Sequence, residues 1–117
     1  MQEQIMYIEY KGAGLAGKGK ICRVKLSKTG KTLYYRGAEL QSLKGDGYKE
    51  NFKDIKTDIT FWVSGCKKDG NDTLYLGVIE IDEDAREEYW LNIRKLPENL
   101  DKTSFRSEGK YSKRKPK

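Results

Sequence analysis

The chain alternates in short bursts and then stops at glycine. Ile21–Leu26 (ICRVKL) sets Cys22, Val24 and Leu26 on one face and Arg23 and Lys25 on the other. A period of two with one apolar face marks a half-buried strand and does not suit a helix. Ahead of it, Gly12–Gly19 (GAGLAGKG) carries four glycines and must be a loop. Behind it, Lys28-Thr29-Gly30-Lys31 is a turn, so Ile21–Arg36 reads as a hairpin with Thr32–Arg36 (TLYYR) as its second strand. Such punctuation restricts the fold to short antiparallel strands joined at sharp corners.

The rest of the chain follows suit. Met6–Tyr10 (MYIEY) and Ile59–Ser64 (ITFWVS) are strands, the latter with Ile59, Phe61 and Val63 on one face and Trp62 on the other. Ala38–Leu43 continues or kinks the strand past Gly37, and Gly45-Asp46-Gly47 breaks the chain. Asn51–Lys56 is a weaker strand, and Lys67–Asp72 is a turn. Thr73–Ile81 is one strand interrupted at Gly77, or two short ones. A helix is predicted over Glu83–Leu96, with Asp82 as N-cap and Ala85, Tyr89, Ile93 and Leu96 as its apolar stripe, ended by Pro97. The expected fold is mainly β with one α-helix: a small, strongly bent antiparallel sheet or barrel with one C-terminal helix packed on it. A length of 117 residues suits one domain. Residues 1–97 are expected to form it, including helix 83–96, with 98–117 as a basic flexible tail.

Chemistry is limited by what is missing. The sequence holds no histidine, which removes the commonest general base and metal ligand. Its two cysteines, Cys22 and Cys66, stand apart and form no CxxC pair. No catalytic, metal or cofactor site is therefore expected. Gly12–Gly17 matches G-x-G-x-x-G, but a strand follows where a dinucleotide site needs a helix. That loop could still bring Lys18 and Lys20 towards a phosphate. Gly30-Lys31-Thr32 lacks the earlier glycine of a P-loop and opens a strand. Asp82-Glu83-Asp84 is explained by capping and by compensation of the helix dipole. The N-terminus has neither the basic nor the apolar region of a signal peptide, and no apolar run is long enough to span a membrane. With two unpaired thiols, this points to a reducing cytoplasm.

Charge points to a partner. The net charge is +6, but residues 79–102 hold 4 basic and 8 acidic side chains, between a basic body and a basic tail. Arg23 and Lys25 lie opposite the apolar face of their strand, Tyr34 and Arg36 share one face of the next, and Trp62 points away from Phe61 and Val63. If these faces coincide, they form a surface on which bases stack while Lys and Arg follow phosphates. Tyr34 and Trp62 could equally lie beneath the helix, since strand periodicity does not say which sheet face the helix covers. Lys113, Arg114 and Lys115 in the tail could add a nucleic-acid arm. The leading expectation is a small, non-enzymatic, basic binding module for nucleic acid. The second is a protein-interaction module, an adaptor or inhibitor, using the split between basic body and acidic helix. The third is an enzyme working through Lys, Tyr or carboxylates without imidazole.

Several phrases occur together in order: YIEYKGAGLAGKGKI, LSKTGKTLYYRG, SLKGDGYKENF, FWVSGCKKDG and IEIDEDAREEYWLNIR. Across most of residues 7–94 they resemble a group of small uncharacterised bacterial proteins. Some of these carry the label 1-deoxy-D-xylulose-5-phosphate synthase, which implies thiamine diphosphate held through magnesium by an Asp and an Asn. Asp46 and Asn71 imitate that pair. The large α/β domains that enclose such a cofactor do not fit a chain of this length. The resemblance thus implies a bacterial cytoplasmic origin and no activity. Those proteins often carry proline at the position of Cys66, which implies no essential thiol there.

Overall fold

The computed structural model describes residues 2–10, 19–43, 51–73 and 76–109. Six strands close into an antiparallel barrel: β1 (Gln2–Tyr10), β2 (Gly19–Leu26), β3 (Thr32–Tyr35), β4 (Ala38–Ser42), β5 (Phe52–Asp54) and β6 (Thr60–Gly65). Each pairs with the next in sequence, and β1 closes the ring by pairing with β2 from Gln2↔Leu26 to Glu9↔Gly19 and with β6 from Met6↔Gly65 to Tyr10↔Phe61. Closure leaves no free edge within the ring. Alternation then decides what fills it. Ile8, Cys22, Val24, Leu33, Leu40, Phe52 and Val63 form the interior, with Met6, Leu26 and Phe61 against them.

A second layer covers one side of the barrel. β7 (Gly77–Ile81) runs parallel to the first half of β2, with Ile21 beside Ile81, and β8 (Ser104–Ser107) pairs antiparallel with β7. The chain leaves β7 directly into α1 (Glu83–Glu88). Ala85, Tyr89 and Trp90 pack with Ile5, Tyr7, Ile21, Ile79 and Ile81 as a second core. The second half of β1 and the first half of β2 are therefore covered on both faces, one facing the barrel interior and the other the second core.

Three expectations are corrected. The helix does not run over 83–96. The α-helix ends at Glu88, Tyr89–Ile93 form a π turn, and Lys95 adopts a left-handed φ of 54°. Trp90, which is not on the predicted stripe, joins Tyr89 in the core over this wider turn. Second, the packing does not stop at residue 97. Phe105 of β8 stacks on Tyr89 at 5.5 Å and meets Trp90 edge-on at 5.6 Å, while residues 110–117 lie outside the described residues. Third, Arg36 is not on a strand face. It sits with Gly37 in the two-residue turn between β3 and β4, both at positive φ. Among the described residues, no helix is long and apolar enough to cross a membrane.

Candidate functional site

On the uncovered part of the barrel wall, β2 and β3 bring together four of the residues singled out from the sequence. Lys25 lies opposite Tyr34 in the ladder, Arg23 is two residues back on the same face of β2, and Arg36 reaches in from the turn. Arg23, Lys25, Tyr34 and Arg36, with Glu3 and Asp84, line a hollow of about 340 Å³. Arg23 is committed within the fold. Its Nη2 donates to Glu88 Oε1 at 2.9 Å and to the Asp84 carbonyl at 3.1 Å, and Glu3 lies 4.0 Å away. It thereby ties α1 to the barrel. Lys25 is exposed and Tyr34 half-buried, which leaves an ammonium and a ring facing solvent together.

A buried carboxylate organises the adjoining end of the barrel. Asp82 occupies the helix N-cap position, but its side chain makes no capping bond. It turns to the barrel instead. Tyr35 Oη donates to Asp82 Oδ2 at 2.6 Å, Arg36 Nη2 approaches the same oxygen at 3.2 Å, and Lys20 Nζ stands 3.6 Å from Oδ1. Burial, followed by the bond to Asp82, pushes the Tyr35 hydroxyl well above the ordinary tyrosine range, so it stays a donor at neutral pH. Arg36 also lies over the Tyr35 ring at 5.5 Å. The run Asp82-Glu83-Asp84 offered one hint of this role: a cap needs one acid, and three were present.

Beside this cluster the barrel mouth opens into a second cavity of about 330 Å³, walled by Ile8, Tyr10, Phe61 and Tyr35, with Lys20 and Glu80 at its rim. Tyr10 and Phe61 meet edge-on at 5.9 Å. No sequence pattern marked this cavity, because closure of the ring creates it.

The remaining candidates go elsewhere. Trp62 packs against the core beneath α1, not in the hollow. Lys20 belongs to the Asp82 cluster. Lys18, Lys113, Arg114 and Lys115 lie outside the described residues, as do Gly12–Gly17 and Asp46. Cys22 and Cys66 are free thiols. Burial pushes the Cys22 thiol far up and Cys66 up to about 12, so neither supplies a thiolate at neutral pH. Compared with family models, curated proteins and solved structures, the chain matches none.

Proposed function

We propose that the chain is a non-enzymatic binding module that holds single-stranded nucleic acid on its outer barrel face. The observation that supports this is the meeting of Lys25, Tyr34 and Arg36 in one hollow. Tyr34 offers a ring for a base, Lys25 offers a cation to one phosphate, and the exposed N–H groups of Arg36 that its 3.2 Å pair with Asp82 leaves over face a second. Arg23, engaged by Glu88 and Asp84, serves as scaffold. Glu3 and Asp84 at the rim disfavour close approach by a second run of phosphates. The footprint is therefore one or two nucleotides, and the affinity modest.

Fluorescence anisotropy with short single- and double-stranded oligonucleotides across a salt series tests this. Two phosphate contacts to a single strand give a slope of roughly −1.4 in log affinity against log salt. Tyr34→Ala should weaken single-strand binding about fivefold or more, since one stacked base contributes about 1–3 kcal/mol. Lys25→Ala should reduce the slope by about 0.7. Binding that persists in both variants and disappears when Lys113, Arg114 and Lys115 are changed to Gln would place the activity in the tail and refute the barrel-face reading.

A further inference from the structure

The barrel mouth is a different kind of site from the basic hollow. Its wall is made of rings and an isoleucine, and its volume lies at the lower end of small-molecule cavities. With its mostly apolar walls it suits a ligand whose body is about the size of one amino-acid side chain. The rim carries two opposite charges side by side, because β7 runs parallel to β2 with Lys20 in register with Glu80. Among the described residues these two form no ion pair with each other, and Glu80 forms none at all. Lys20 is held near Asp82 at 3.6 Å, a distance that leaves its ammonium hydrogens uncommitted. Asp82 itself is already served by Tyr35 and Arg36.

We propose that this cavity binds a small zwitterion with an apolar body, of the α-amino-acid class. The apolar body enters between Tyr10, Phe61 and Ile8. The carboxylate faces Lys20 and the ammonium faces Glu80. Opposite charges on paired positions of neighbouring strands suit a ligand that carries both charges, whereas a simple anion would leave Glu80 opposed to it and a simple cation would be repelled by Lys20. Desolvation of the rings and the body supplies affinity, and the charge pair supplies selection. The site shares no ligand group with the hollow formed by Lys25 and Tyr34, so it stands or falls separately from the nucleic-acid reading.

The test is titration of the intact chain with L-phenylalanine, followed by calorimetry and by amide chemical shifts. Three comparison probes dissect the ligand: phenethylamine lacks the carboxylate, 3-phenylpropionate lacks the ammonium, and glycine lacks the body. Saturable binding of phenylalanine, with shifts confined to the cavity ends of β1, β2, β3, β6 and β7, is the expected result. Each comparison probe should bind about tenfold or more weakly, the equivalent of about 1.4 kcal/mol for each lost group. Glu80→Gln, at an exposed position on β7, should bring phenylalanine down to the level of 3-phenylpropionate. Tyr10→Ala should weaken phenylalanine while lowering the thermal midpoint only by a few degrees, the loss of its edge contact with Phe61. The proposal is overturned by absence of saturation for every probe up to about 10 mM. Equal affinity for all the probes, or binding indifferent to both substitutions, overturns it as well.

Discussion

Asp82 stands where a helix cap would, yet its carboxylate turns away from the helix. The pull comes from the barrel: a phenol at 2.6 Å and a guanidinium at 3.2 Å on one oxygen outweigh a backbone N–H, because a buried carboxylate needs strong donors. Strand alternation separates Tyr34 from Tyr35 at once, one to each face. It does not say that Tyr35 meets an acid 47 residues away, since pairing between strands is not written in their period. Tyr35→Phe keeps the ring and removes the donor. Arg36 remains on the carboxylate, so the loss is that of one hydrogen bond to a charged acceptor, about 1.5–3 kcal/mol. Urea unfolding should show the unfolding free energy falling by that amount, read as a lower midpoint at an unchanged slope; an unchanged midpoint would mean that the bond contributes nothing net.

At the scale of elements, the β3–β4 hairpin turns on two residues, Arg36 at φ 48° and Gly37 at φ 84°. Both are left-handed, the geometry whose twist matches that of the flanking strands. A Cβ at Gly37 would meet nothing within 4 Å, so substitution there isolates backbone strain from crowding. Gly37→Ala should cost about 1–2 kcal/mol, and Gly37→Asn less, because Asn tolerates this region. Thermal midpoints ranked Gly, then Asn, then Ala would establish the strain; equal midpoints would exclude it. The same hairpin marks how far elements were legible. TLYYR and ICRVKL carry their strands openly, but Gly37 alone suggested a kink where the structure makes a full reversal. SFRS in β8 has a single apolar side chain, Phe105, too little to register as a pattern, although that ring stacks in the core. The π turn after α1 is invisible for a related reason: adjacent apolar residues such as Tyr89 and Trp90 also occur on the stripe of an ordinary α-helix, so they do not mark a wider turn.

For the molecule as a whole, the charge split read from the sequence is partly internal. The acidic helix lies on the basic body through Arg23 and Glu88, so less of it faces a partner than the composition suggests. A second long-range feature is the carboxyl of Asp72, held between β6 and β7. Its Oδ1 accepts the Lys67 N–H at 2.8 Å, and its Oδ2 has no partner among the described residues. Lys67 and Arg94 act to lower its pKa and Asp69 to raise it, but burial dominates and lifts it from 3.8 to about 6. An acid whose pKa is raised on folding favours the folded state most when protonated. Its contribution is full below the unfolded value of 3.8 and is lost as pH rises through about 6. At about 1.4 kcal/mol per pH unit, a displacement from 3.8 to about 6 corresponds to about 3 kcal/mol. Asp72→Asn keeps an acceptor for Lys67 and resembles the protonated acid, so it removes the titration without emptying the site. Relative to its difference from the parent chain at pH 4, the variant should gain about 2 kcal/mol by pH 7, with most of the change between 4 and 6. The other carboxylates titrate in both proteins and cancel in the difference. Paired urea titrations at several pH values measure that gap directly, and a gap that stays flat, or narrows as pH rises, would show that Asp72 is ionised in the folded chain at no cost.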